Sequence, residues 1–111
     1  MKLYFYILDS DRKTGKWNLR LEECEVIEKP KTYKAVTRFP KGIYIGYVKK
    51  EDVGRILDPL TPYIVLEKPN YQFVKNKFLE KCNEEISRLK NTIAMYENKI
   101  AAVEAGEENC K

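Results

Sequence analysis

Apolar positions along the chain change period, and each period predicts a different element. Lys2–Leu8 (KLYFYIL) is almost continuous in aromatic and branched residues, which predicts a well-buried strand. Asp9–Gly15 is polar and ends on glycine, the composition of a hairpin loop. Trp17, Leu19 and Leu21 then alternate with polar residues, while Cys24 and Val26 continue on the other parity. A bulge near Glu22–Glu23 accounts for that shift, as does a strand that outlasts its partner. Tyr33–Phe39 reads as a further strand, Phe39-Pro40-Lys41-Gly42 as a tight turn, and Ile43–Val48 as the strand that leaves it. Gly46 inside that last strand marks a bulge or a close backbone approach. Lys49–Gly54 predicts one helical turn ended by glycine. Pro59 and Pro62 bracket an irregular crossing, and Tyr63–Leu66 is the last predicted strand.

Beyond Pro69 the period lengthens. Asn70 is a candidate N-cap, and neither glycine nor proline interrupts Tyr71–Ala105 before Gly106 supplies a stop. Within this helix the apolar residues form strict heptads, with Leu79, Ile86, Ile93 and Ile100 at position a and Cys82, Leu89, Tyr96 and Val103 at position d. A 3.5-residue repeat suits a coiled-coil seam better than the broader stripe of an ordinary amphipathic helix. The expected class is therefore α+β. An antiparallel β-rich body of about four to five strands occupies 1–69. A long coiled-coil-like helix over 70–105 belongs to the same domain, and 106–111 forms a frayed tail.

About 35 residues of helix reach roughly 50 Å, whereas a body of this size is only about 25–30 Å across. The seam therefore predicts a partner helix, and a homo-oligomer with the dimer favoured. In a parallel pair, Glu85 at g faces Lys90 at e and Lys99 faces Glu104, with no like-charge pair. Tyr96 is large for a two-stranded core and favours a higher oligomer or an antiparallel offset. Alternatively, Tyr71, Val74 and Phe78 lie across the sheet and a break near Asn91–Thr92 folds the seam back within one chain.

Composition removes several function classes. The 111 residues make one domain, and no apolar run approaches the roughly 20 residues of a membrane span. Three widely spaced cysteines (Cys24, Cys82, Cys110) make no disulfide framework and predict a reducing, cytoplasmic setting. Histidine is absent, which removes the commonest general base and metal ligand. The cysteine spacing matches no zinc motif, and there is no glycine-rich phosphate loop. Asp9 and Asp11 read as turn formers, and Glu22, Glu23 and Glu25 as solvated edge charges. The expectation is a non-enzyme with no cofactor and no metal.

Charge is unevenly placed. Between Lys29 and Arg55 eight basic residues face only Glu51 and Asp52, so this stretch carries +6 of a net +4. Tyrosines interleave with the cations, a pattern that combines stacking faces with anion contacts. The candidate anion site is Arg38, Lys41, Tyr44, Tyr47, Lys49, Lys50 and Arg55. Direct DNA binding is a weaker reading of the same stretch, and a basic solvated edge is the bland one.

The predicted sheet, the phrase Glu28-Lys29-Pro30-Lys31-Thr32-Tyr33, the short Lys49–Gly54 turn and the charged terminal helix together resemble small accessory proteins of phages and prophages of Gram-positive bacteria. That resemblance implies anti-defence action inside the host bacterial cell, by an oligomeric sponge for a nucleotide immune signal. The alternative it admits is an anti-CRISPR-like inhibitor that binds a nuclease effector by protein–protein contact, or a phage structural or regulatory oligomerisation module.

Overall fold

The computed structural model describes the backbone of residues 1–109 and the side chains of residues 1–106. Cys110 and the end of the expected tail lie outside the described residues. The chain divides into two compact units, Met1–Lys75 and Asn76–Lys111. The β-rich body thus takes in the first residues of the helix.

The body is one antiparallel sheet of six strands: β1 (Lys2–Ser10), β2 (Trp17–Glu28), β3 (Thr32–Ala35), β4 (Val48–Lys49), β5 (Ile56–Leu57) and β6 (Tyr63–Leu66), in the order β4-β3-β2-β1-β6-β5. The α+β class holds, with one strand more than expected because β5 is a two-residue strand that periodicity does not register. These two end strands are joined by only Lys50–Arg55, which includes a single 3-10 turn (Lys50–Asp52). Six residues span at most about 20 Å, so the sheet must curl until its edges approach. Just before β5, the Gly54 amide donates to the Val65 carbonyl of β6 at 2.9 Å, continuing the β5–β6 pairing. Gly54 makes this possible with φ +86°, a conformation that costs other residues strain.

No bulge interrupts β2. Its register with β1 runs unbroken from Lys2↔Glu25 to Ser10↔Trp17, and β2 then changes neighbour, pairing with β3 over Val26–Glu28. Along β2 only the parity of Cys24 and Val26 is buried, on the inner face, whereas Trp17 and Leu21 of the other parity stay exposed and Leu19 is half-buried. Leu3, Phe5 and Ile7 of β1 share the inner face with Cys24, and together with Val26, Tyr33, Phe39, Ile43, Val48, Tyr63 and Val65 they form the core. Phe5 sits between Phe39 and Tyr63, with ring centroids 5.7 and 6.0 Å away. On the other face Tyr6 and Ile64 are buried, and the Asn70 amide donates to the Tyr6 hydroxyl at 3.0 Å.

Two predicted strands are shorter than their patterns. Val36 keeps one bond to the Glu25 carbonyl, after which residues 36–47 leave the sheet. The expected Ile43–Val48 strand is paired only at Val48, because the Ile43 amide is used by a turn, donating to the Pro40 carbonyl at 3.0 Å. That turn spans Pro40–Ile43, one residue later than the sequence predicts, with Gly42 at φ +93° as its third residue. The expected Lys49–Gly54 turn is a shorter 3-10 turn, Lys50–Asp52, capped by Val53 and not by the glycine, and the last strand Tyr63–Leu66 forms as predicted.

The helix α1 (Tyr71–Asn109) is continuous over 39 residues. Asn70 caps it, its Oδ1 accepting from the Phe73 amide at 3.1 Å. Helix runs through Asn91–Thr92, so the seam does not fold back within the chain. It also passes through Gly106, where a stop was expected. A lone glycine costs a helix only about 1 kcal/mol, too little to end one with good formers on both sides. No helix among the described residues is long and apolar enough to cross a membrane.

Candidate functional site

The segment 36–47 is irregular in backbone yet tied down at four points. Phe39 and Ile43 bury their side chains in the core on either side of the turn. The Cys24 thiol donates to the Arg38 carbonyl at 3.4 Å, and Arg20 Nη2 donates to the Lys41 carbonyl at 2.8 Å. Arg20 is itself held by Asp9 (Nε to Oδ2, 3.0 Å) and Glu22 (Nη1 to Oε1, 2.9 Å). Partial burial opposes its charge, but the bonds to Asp9 and Glu22 outweigh that and raise its pKa above the ordinary value. One guanidinium thus links the first hairpin to the loop.

Anchored backbone leaves the polar side chains outward. A cavity of about 1010 Å³ opens here, lined on one side by Lys34, Thr37, Arg38, Lys41 and Tyr44 and on the other by Glu22, Glu23 and Cys24. This is at the upper end of the range for ligand clefts. The acidic wall is already compensated, since Glu22 pairs with Arg20 and Glu23 with Lys2 at 3.2 Å. Lys34, Arg38 and Lys41 have no ion-pair partner among the described residues. The groove therefore carries surplus positive charge. Tyr44 presents an almost bare ring at its rim, 92% exposed.

Of the candidate anion residues, the fold gathers Arg38, Lys41 and Tyr44 and leaves Tyr47, Lys49, Lys50 and Arg55 outside the groove. Lys50 has a structural role, its Nζ 2.9 Å from Glu28 and 5.3 Å from the centre of the Tyr33 ring. Lys34, absent from the candidate set, joins the site because β3 ends at Ala35 and turns its last residues toward the groove.

Cys24 is the one thiol on the groove wall. Burial, with the nearby Glu25 charge second, pushes its pKa up, so it stays protonated and weakly nucleophilic. Among the described residues no group of three His, Cys, Asp or Glu side chains could hold a metal ion.

The second candidate surface is the helix seam. Leu79, Ile86, Leu89, Ile93, Tyr96, Ile100 and Val103 are each about half exposed or more, and Cys82 is exposed and free. Glu85 is engaged within its own helix, with Arg88 at 2.9 Å and Lys81 at 3.8 Å, and these partners hold its carboxyl below the usual pKa. Lys99 lies 5.1 Å from the centre of the Tyr96 ring.

No family model, curated protein or solved structure matches the chain.

Proposed function

We propose that this chain is a non-catalytic binding protein that self-associates through α1 and sequesters an anionic, planar ligand of the nucleotide class in the groove of its β-body. One observation carries the ligand half of this reading. Three cations without carboxylate partners surround a single cleft that also presents a bare aromatic ring. Cations satisfy phosphate oxygens, and an exposed tyrosine offers a face on which any base can stack. Cys24, protonated and already donating to the Arg38 carbonyl, supports binding over reaction. The resemblance to phage accessory proteins supports a nucleotide immune signal as the ligand and the host cytoplasm as the place of action.

The test is calorimetric titration with a panel of mono- and dinucleotides at about 50 mM salt, where counterion release favours binding. Arg38→Glu and Lys41→Glu each weaken binding by at least about tenfold, and Tyr44→Ala by about tenfold or more, given 1–3 kcal/mol per stacked base. Lys49→Glu and Arg55→Glu leave it within about threefold, since distant exposed charges are screened. Absence of binding by the unaltered protein, or equal losses at Lys49 and Lys41, overturns the assignment.

A further inference from the structure

From the uninterrupted helix and its charges, we infer that α1 pairs with α1 of a second copy as a parallel, in-register two-stranded coiled coil spanning Leu79–Val103. This deepens the self-association half of the reading above and does not depend on the ligand. Eight seam residues on each chain remain largely in water. With on the order of 80 Å² of apolar surface left on each, a pair of chains removes roughly 1300 Å² from water, within the range of a specific interface.

Charge decides the occupant and its direction. Parallel pairing sets Glu85 against Lys90 of the second copy and Lys99 against Glu104, each twice by symmetry, with no like-charge contact. Antiparallel pairing that covers the same seam sets each a residue against a d residue, Ile86 facing Tyr96 and Ile100 facing Cys82. Glu85 then meets Lys99, but Lys90 meets Lys90 of the second copy. Within a parallel pair, isoleucine at three of the four a positions and leucine at one d position, Leu89, favour two strands. A helix that ran only to Asn91 would have carried too few layers. The continuous backbone across Thr92, whose hydroxyl donates to the Arg88 carbonyl at 3.0 Å, keeps all eight on one line.

Parallel registry brings the two Cys82 side chains into the same d layer, which supplies a direct readout. The experiment uses the full-length chain with Cys110→Ser, leaving Cys82 as the exposed thiol and Cys24 buried. Light scattering at tens of micromolar is expected to give about twice the 13.1 kDa chain mass. Copper–phenanthroline oxidation is expected to convert most of the protein to a covalent dimer that Cys82→Ser abolishes. Lys90→Glu places Glu85 against glutamate and is expected to raise the dimer dissociation constant roughly tenfold. A monomer overturns the inference together with the self-association reading. A dimer whose dissociation constant Lys90→Glu leaves within about threefold, one like-charge pair replacing another, and that crosslinks only when Ile100→Cys is added, overturns the parallel arrangement while leaving self-association standing.

Discussion

Arg20→Met tests whether the groove loop is held by one guanidinium. Arg20 makes two ion pairs, to Asp9 and Glu22, and one hydrogen bond to the Lys41 carbonyl. Its side chain is 31% exposed and its carboxylate partners 37% and 47%, so solvent screens both pairs. Discounted accordingly, each pair contributes about 0.5 kcal/mol. The bond from a charged donor to the backbone carbonyl contributes about 1 kcal/mol in this setting. Methionine preserves most of the apolar stem, so the expected loss is about 2 kcal/mol. A body of this length has roughly 4–11 kcal/mol of stability in all. The change should therefore appear as a shift in urea midpoint without a change in slope.

Trp17, the single tryptophan, lies three residues from Arg20 on β2 and reports on the body. The same variant should weaken nucleotide binding, although Arg20 does not line the groove, because the Lys41 backbone loses its donor. Arg20→Lys keeps the charge, but its three donors radiate from one nitrogen and cannot span the Nε, Nη1 and Nη2 positions that reach Asp9, Glu22 and the Lys41 carbonyl, so it should recover less than half of the loss. About 1 M salt should remove the ion-pair share and leave the carbonyl share. A stability change below about 0.3 kcal/mol for Arg20→Met, or full recovery by lysine, refutes the clamp.

Three further outcomes are expected. Phe5→Ala removes a fully buried ring packed between Phe39 and Tyr63 and should cost about 3–5 kcal/mol, against about 1–2 for Phe5→Leu, measured by the same urea titration. Tyr33 has its pKa pushed up to about 12, by burial first and then by the Glu67 carboxylate that accepts from its hydroxyl. A raised folded-state pKa stabilises fully below the unfolded value near 10 and loses that contribution as pH rises through about 12; Tyr33→Phe should flatten the fall in stability over that window. Asn70→Ala removes the helix cap and should cost about 1 kcal/mol, whereas Asn70→Asp should match or exceed the parent, since the first turn of α1 contains no acidic residue.

What could be read in the sequence follows the range of the interactions involved. The helix and its cap are local, set by neighbours three and four residues away, and they start where the pattern places them, although α1 runs on past Gly106. Ile43–Val48 has strand composition but leaves the ladder, because the decisive events are distant or specific. The Ile43 amide is taken by a turn, and Phe39 and Ile43 drop into a core built by β1 and β6. The parity change on β2 suggests a bulge to a reader who assumes that every apolar residue of the strand is buried, whereas Trp17 and Leu21 stay exposed and only Cys24 and Val26 reach the core.

The basic stretch shows the same limit in a sharper form. Cations adjacent in sequence are separated once Val48–Lys49 becomes an edge strand and the chain crosses to the opposite edge. Lys50 is drawn to Glu28 and Tyr33, while Lys34, Arg38 and Lys41 have no ion-pair partner among the described residues and stand around one cleft. Counting charge along the chain identifies that surplus cations exist. Only the strand order shows which of them lack a carboxylate, and an uncompensated cation is the one available to an anion. Lys34→Glu is therefore the variant on which the structural assignment and the sequence assignment disagree: Lys34 lines the groove although the candidate set omits it, and its reversal should weaken nucleotide binding where Lys49→Glu does not.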